Sequence, residues 1–304
     1  MKMEQKKKRS FLLLFCLLLI LLIAYFGLQS WNKKQEKKQE AKTEKEAVYA
    51  TDIEEITGIK YDVGSGEFDL VKEDGTWYNA KDRDFPLAQS YPEQMASDFA
   101  KLKAERELKD GDSLEDYGLK DPVYTVVLTD KEGKETTVYY GNSTGDNYYV
   151  TVGDEGKVYT VSSTSISDLQ YTLEDMAQLD TYPSIGSGNL KKEVITRDGS
   201  ETTYDADNDD DAENIAAVAG GLGAVTLSEA ADYSVEDKDL AGFGLDEAAR
   251  ITVQATYTKD DEEQTLTLYI GKENGEGSRY VMMNDSRIVY LISDEVCKNI
   301  LNEE

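Results

Sequence analysis

The chain has no histidine among its 304 residues, only two cysteines and only four prolines. Without histidine it lacks the commonest proton shuttle near neutral pH and the commonest imidazole metal ligand. Zinc chemistry is all but excluded on that ground. Cys16 lies inside an apolar run and Cys297 stands alone near the C-terminus, so no disulfide framework can staple the folded part. With so few prolines and only turn-sized gaps between patterned segments, compact domains are expected in place of a disordered tail. Positive charge is also scarce. Residues 1–46 hold 11 Lys/Arg against 5 Asp/Glu, and the remainder holds 22 against 56, a balance of −34. A surface this acidic repels phosphate backbones, so nucleic-acid binding is excluded, and basic partners or cations are favoured.

What the N-terminus does have is a long apolar run. Residues 11–28 are uncharged, from Phe11 to Leu28, and as a helix would span roughly 27 Å, enough for a hydrocarbon core. Lys6, Lys7, Lys8 and Arg9 precede it and Trp31 follows at interface depth. A cleaved signal peptide needs small residues at the cut, where Phe26 stands in Ala24-Tyr25-Phe26. A lipoprotein signal needs them before the cysteine, where Leu14 and Phe15 stand. An uncleaved single-pass anchor is the expectation. Lysines crowd both flanks, but a ten-residue cationic start favours an N-terminus in the cytoplasm and a folded part outside it. Residues 29–47, rich in Lys, Glu and Gln without an apolar stripe, read as a charged stalk.

Beyond the stalk one pattern occurs twice. Tyr117-Gly118-Leu119 precedes strand-like blocks at Tyr124 to Thr129, Thr136 to Gly141, Tyr148 to Val150 and Lys157 to Ser162. Phe243-Gly244-Leu245 precedes matching blocks at Ile251 to Thr256, Leu266 to Gly271, Arg279 to Val281 and Ile288 to Ser293. A period of this length is a whole domain. Upstream of each series lies a hairpin turn, Glu73-Asp74-Gly75-Thr76 and Thr196-Arg197-Asp198-Gly199-Ser200. Each turn is followed by a helix signal, Pro92 to Ala104 with Met95, Phe99 and Leu102 in register, and Glu213 to Leu222. Ser165 to Met176 and Glu295 to Leu301 read as closing helices. The expected fold is α+β, two tandem domains at 48–181 and 182–304, each a largely antiparallel sheet with one or two helices.

The carriers Asp74-Gly75-Thr76-Trp77, Tyr117-Gly118-Leu119-Lys120-Asp121-Pro122 and Tyr140-Gly141-Asn142 resemble the family called domain of unknown function 4340. The likeness covers Ile53 to Asp180 and, more weakly, the second copy, where Thr203 stands near the Trp position and Ala248 near the Pro. The resemblance implies envelope anchoring and association with transporter components of the ABC type. It brings no activity and no site residues.

Several constellations invite chemistry. Asp205 to Glu213 alternates acids as calcium loops do, but Asp210 occupies the turn position that needs Gly and Ala216 the place of the bidentate Glu. It also aligns with Asn79 to Asp84, a loop entering a helix, where acids favour the N-terminus. The strand tyrosines could form an aromatic platform, yet tyrosine is a favoured strand residue and half of any strand faces a core. Gly220-Gly221-Leu222-Gly223 follows a helix and lacks the Lys-Ser/Thr of a phosphate loop. Paired carboxylates could serve a glycosidase, but 61 acids make such pairs cheap by chance. The expectation is therefore a non-enzymatic accessory or scaffold for an envelope or transporter assembly, with no catalytic, cofactor or metal residue assigned. A carboxylate-based wall-glycan hydrolase or binder is the alternative.

Overall fold

The computed structural model describes residue 29 and residues 47–62, 66–109, 111–153 and 156–303. The expected anchor and nearly all of the stalk lie outside the described residues. Among the described residues no helix is long and apolar enough to cross a membrane. The chain is rich in antiparallel sheet with few helices, an α+β arrangement, and separates into two compact units. The first unit takes residues up to 56 and 97–167; the second takes 57–96 and 168–304.

In the first unit, β1 (Val48–Tyr49) pairs with β5 (Lys103–Ala104). Its main sheet runs β7 (Tyr124–Asp130), β8 (Glu135–Thr144), β9 (Asn147–Val152), β10 (Val158–Ser162) and β6 (Arg106–Leu108), antiparallel throughout. Alternation decides what is buried: Val126, Leu128, Val138, Tyr140 and Val150 are wholly covered on one face. On the other, Tyr117, Leu119 and Val158 form a smaller cluster with Tyr139 and Tyr149.

The second unit carries β2 (Ile56–Asp62), β3 (Glu67–Glu73) and β4 (Thr76–Asn79), paired antiparallel in that order. Its seven-stranded sheet runs β12 (Ser200–Asp205), β11 (Leu190–Arg197), β14 (Ile251–Lys259), β15 (Glu262–Glu273), β16 (Ser278–Met283), β17 (Val289–Ser293) and β13 (Ala230–Asp232). Helices α2 (Ala212–Gly223) and α4 (Asp294–Ile300) cover one face, where Val218, Leu222 and Ile300 join Val253, Leu268 and Tyr290 in the core. Val235, Leu245, Met282 and Val289 cover the other beside the short helix α3 (Leu240–Phe243). With both faces covered, Val281, Met282 and Met283 are all buried, and simple alternation fails there.

The expected turns form as two-residue hairpin loops. Asp74 (φ 49°) and Gly75 (φ 85°) close β3 to β4, and Asp198 (φ 50°) and Gly199 (φ 75°) close β11 to β12, the left-handed pair that such turns require. Two helix expectations change. The helix expected over Pro92 to Ala104 is α1 (Ser90–Ala100), and Lys103–Ala104 is strand. Thr51 ends it, its Oγ1 donating to Phe99 O at 2.6 Å and accepting from Leu102 N at 2.8 Å, which satisfies groups the helix end leaves open. The helix expected at Ser165 to Met176 is a 3-10 helix, Ser163–Gln170, followed by turns. There Thr172 and Asp175 bond each other's backbone amides and take over the role of a continuing helical ladder.

Candidate functional site

The duplicated motif is a plug. In the first unit Gly118 takes φ +71°, turning the chain so that the Tyr117 carbonyl lies against Gly141; a Cβ on Gly141 would sit 2.2 Å from that oxygen. Asn142 N donates to the same carbonyl at 2.8 Å, and the β8–β9 register shifts between Tyr140 and Ser143. In the second unit Gly244 takes φ +67°, the Phe243 carbonyl would meet a Cβ on Gly271 at 2.3 Å, and the β15–β16 register shifts between Ile270 and Glu273. The ring completes each plug: Tyr117 packs on Tyr149 at 4.6 Å and Phe243 edge-on to Tyr280 at 5.0 Å. Much of the tyrosine pattern is absorbed here as structure.

The acidic loop is built as a helix entry. Asp205 closes β12 and Asp209–Asp211 make a 3-10 turn running into α2. Asp211 Oδ2 accepts from Asp205 N and Asn208 Nδ2, Asp205 Oδ1 from Asp207 N, and Asn208 Oδ1 from Asp210 N. Three of these are local side-chain to backbone bonds of the Asx kind, and the Asn208–Asp211 bond joins two side chains. Among the described residues no cluster of three or more acids, Cys or His is arranged to hold a metal ion. The Gly220 to Gly223 run is the C-terminal end of α2, where buried Gly221 lets the backbone of α4 approach.

A cleft of about 490 Å³ opens in the first unit between Tyr49–Glu55 and the β7–β8 hairpin tip, with Thr136, Val152, Lys157 and Tyr159 completing its lining. Both walls are held by hydrogen bonds from backbone amides. Ala50 N donates to Leu102 O and Ile53 N to Ala100 O, while Asp130 Oδ1 gathers the amides of Glu132 and Lys134. Lys131 Nζ reaches Glu54 Oε2 at 2.8 Å and links the walls. The bond to Glu54 holds the Lys131 ammonium above its ordinary pKa. The Glu54 side chain is 82% exposed, so this clasp opens at little cost. The lining mixes acids, lysines, two threonines and two tyrosines, furniture for holding a polar ligand.

The family model described as "Domain of unknown function (DUF4340)" matches residues 77–214 and 201–303. The chain belongs to this family. Each of the two matched segments of the DUF4340 chain contains one aromatic-Gly-Leu plug with its receiving glycine. No curated protein and no solved structure matches the chain.

Sequence reasoning passed over two places. The cleft depends on a pairing of Val48–Tyr49 with Lys103–Ala104 that no local pattern announces. Glu193 is fully buried on β11, where a register shift between Leu190 and Lys192 resets the alternation. Counting back in twos from buried Ile195 would have placed Glu193 inward.

Proposed function

We propose that the chain is a non-enzymatic, membrane-anchored extracytoplasmic module that binds a partner as accessory or scaffold in an envelope or transporter assembly. It consists of two tandem copies of one α+β domain, 48–181 and 182–304. The anchor rests on residues 11–28 and their basic flank, and the duplication is supported by the paired plugs. The observation that carries the binding role is the cleft of the first unit, with walls held by hydrogen bonds from backbone amides and an exposed, easily opened Glu54–Lys131 clasp. The hydroxyl of Thr51 at its edge is already engaged at the end of α1, which suits holding better than attack.

Photo-crosslinking groups placed at Glu55 and Glu132 in the membrane-embedded chain test this reading. Crosslinks to a defined envelope or transporter protein are expected, weakened by charge reversal at both Glu54 and Lys131. Crosslinks to lipid alone, or none, would defeat it. A second reading, a glycan binder or carboxylate-based hydrolase, draws on Asp52, Glu54 and Glu55 beside Tyr49 and Tyr159 in the same cleft. Incubation of the chain with cell-wall glycan, scored for retention and for new reducing ends, decides it; absence of both ends that reading.

A further inference from the structure

Strand β11 carries a carboxyl group where core belongs. Glu193 is 0% exposed, and neither of its oxygens has a hydrogen-bond partner. The Tyr182 hydroxyl is likewise buried and unpartnered, and it lies within the electrostatic reach of Glu193 and Tyr257. A buried carboxylate with no partner is strongly disfavoured, so the folded chain holds Glu193 as the neutral acid. Burial, the sole cause, pushes its pKa up to about 8.

The neighbours offer no countercharge. Tyr204 on β12 and Ala255 on β14 stand opposite Glu193 across the strands. The Tyr204 hydroxyl accepts from Asn302 Nδ2, and the Tyr257 hydroxyl donates to Gln264 Oε1. Glu213, the acid in the first turn of α2, is exposed.

Tyr182 belongs to an irregular strap, residues 179–189, pinned at both ends. Asp180 accepts from the Tyr290 hydroxyl at 2.8 Å and from Ser286 Oγ at 2.5 Å, and its own amide donates to Tyr290. At the far end Asn189 accepts from Gly186 N and donates to Ser184 O and Thr258 O. Between the pins, the amides of Thr181, Tyr182, Ser184 and Ile185 make no hydrogen bond among the described residues. Tyr182 and Leu179 pack against the core on the β11 face that Glu193 shares with Ile195, and a strap with so few backbone bonds has little to lose on lifting.

We propose that Glu193 and Tyr182 make this strap a proton-operated latch, shut while Glu193 keeps its proton and lifting when the proton leaves. In the lifted state the carboxyl group is hydrated and titrates in the ordinary range, around 4.3. Between that value and about 8, lifting releases a proton and becomes roughly tenfold easier per pH unit. Outside the window it is flat.

Hydrogen exchange of the purified full chain at pH 5.5 and 7.5, corrected for intrinsic rates, reads the latch at the bonded strap amides Asp180, Gly186 and Asn189. Their protection is expected to fall roughly a hundredfold in the wild type and to stay constant in Glu193→Gln. The amides of Val253 and Leu268 should hold in both. Glu193→Leu serves the same comparison if the amide variant does not fold. Unchanged strap protection in the wild type overturns the proposal. So does an equal fall in the variant, or a joint loss of strap and sheet protection, which would make the event global.

Discussion

Two adjacent glycines in α2 should respond to the same substitution with opposite signs. Gly220 is exposed, and a Cβ built on it meets nothing within 4 Å. Alanine there gains the usual helix-propensity difference, about 0.8–1 kcal/mol in a helix interior, and is expected to raise stability by about 0.5–1 kcal/mol near the helix end. Gly221 is buried, and its Cβ would stand 2.5 Å from Ile300 N and 2.7 Å from the Asn299 carbonyl carbon. Non-bonded carbons settle at about 3.5–4.0 Å, so the backbone of α4 has to retreat by roughly 1 Å. It cannot rotate a side chain out of the way, because the atoms met are mostly main chain. Overpacking of this kind costs about 1–3 kcal/mol, occasionally more, and outweighs the propensity gain. Gly221→Ala is therefore expected to lose about 1–2 kcal/mol, separating the two variants by about 1.5–3 kcal/mol. Urea unfolding with unchanged slope and shifted midpoints measures both. If Gly221→Ala matches or exceeds the wild type, the close approach of α2 and α4 is not what that glycine is for.

The plug glycines should be as intolerant. Gly141→Ala and Gly271→Ala each set a Cβ against a carbonyl and are expected to lose about 2–3 kcal/mol in the same unfolding assay. Gly188→Ala, with open space around it, should stay within about 0.5 kcal/mol of wild type. Asp294 pairs with Arg279 at 2.6 Å and Lys298 at 2.7 Å, and the Arg279 bond first, then that of Lys298, holds its pKa below the usual carboxylate range. Its contribution is present above that range and fades as pH falls through the lowered value, so Asp294→Asn should flatten the acid limb of a stability-against-pH curve. The melting temperature should be identical in calcium and in chelator, since the carboxyl groups of Asp205 and Asp211 accept amides of their own loop. A calcium-dependent rise would reassign that loop.

Much of the fold is legible where one residue type has one physical reason. The Asp-Gly turns, the apolar register of Met95 and Phe99, and the twin aromatic-Gly-Leu motifs each point to a single local conformation, and each is realised. What escapes the sequence is set by partners far along the chain. Thr51 decides where α1 stops from 48 residues away, and the pairing of Val48–Tyr49 with Lys103–Ala104 joins segments that no local pattern links. The cleft is of the same kind, since Glu54 and Lys131 lie far apart in sequence and meet only when the unit has closed.

The seven-stranded sheet ends on β12 and β13, and the two rims are blunt in different ways. β13 is three residues long and shifts register against β17 between Ala230 and Asp232. β12 is longer, but it is polar, largely exposed and carries Glu201 and Asp205. Short, irregular or like-charged borders are what keep one molecule from extending its sheet into the next. If the chain is anchored as proposed, that would matter more than it would in dilute solution. At these two rims, neighbouring copies can crowd together without zipping their seven-stranded sheets into a common fibre.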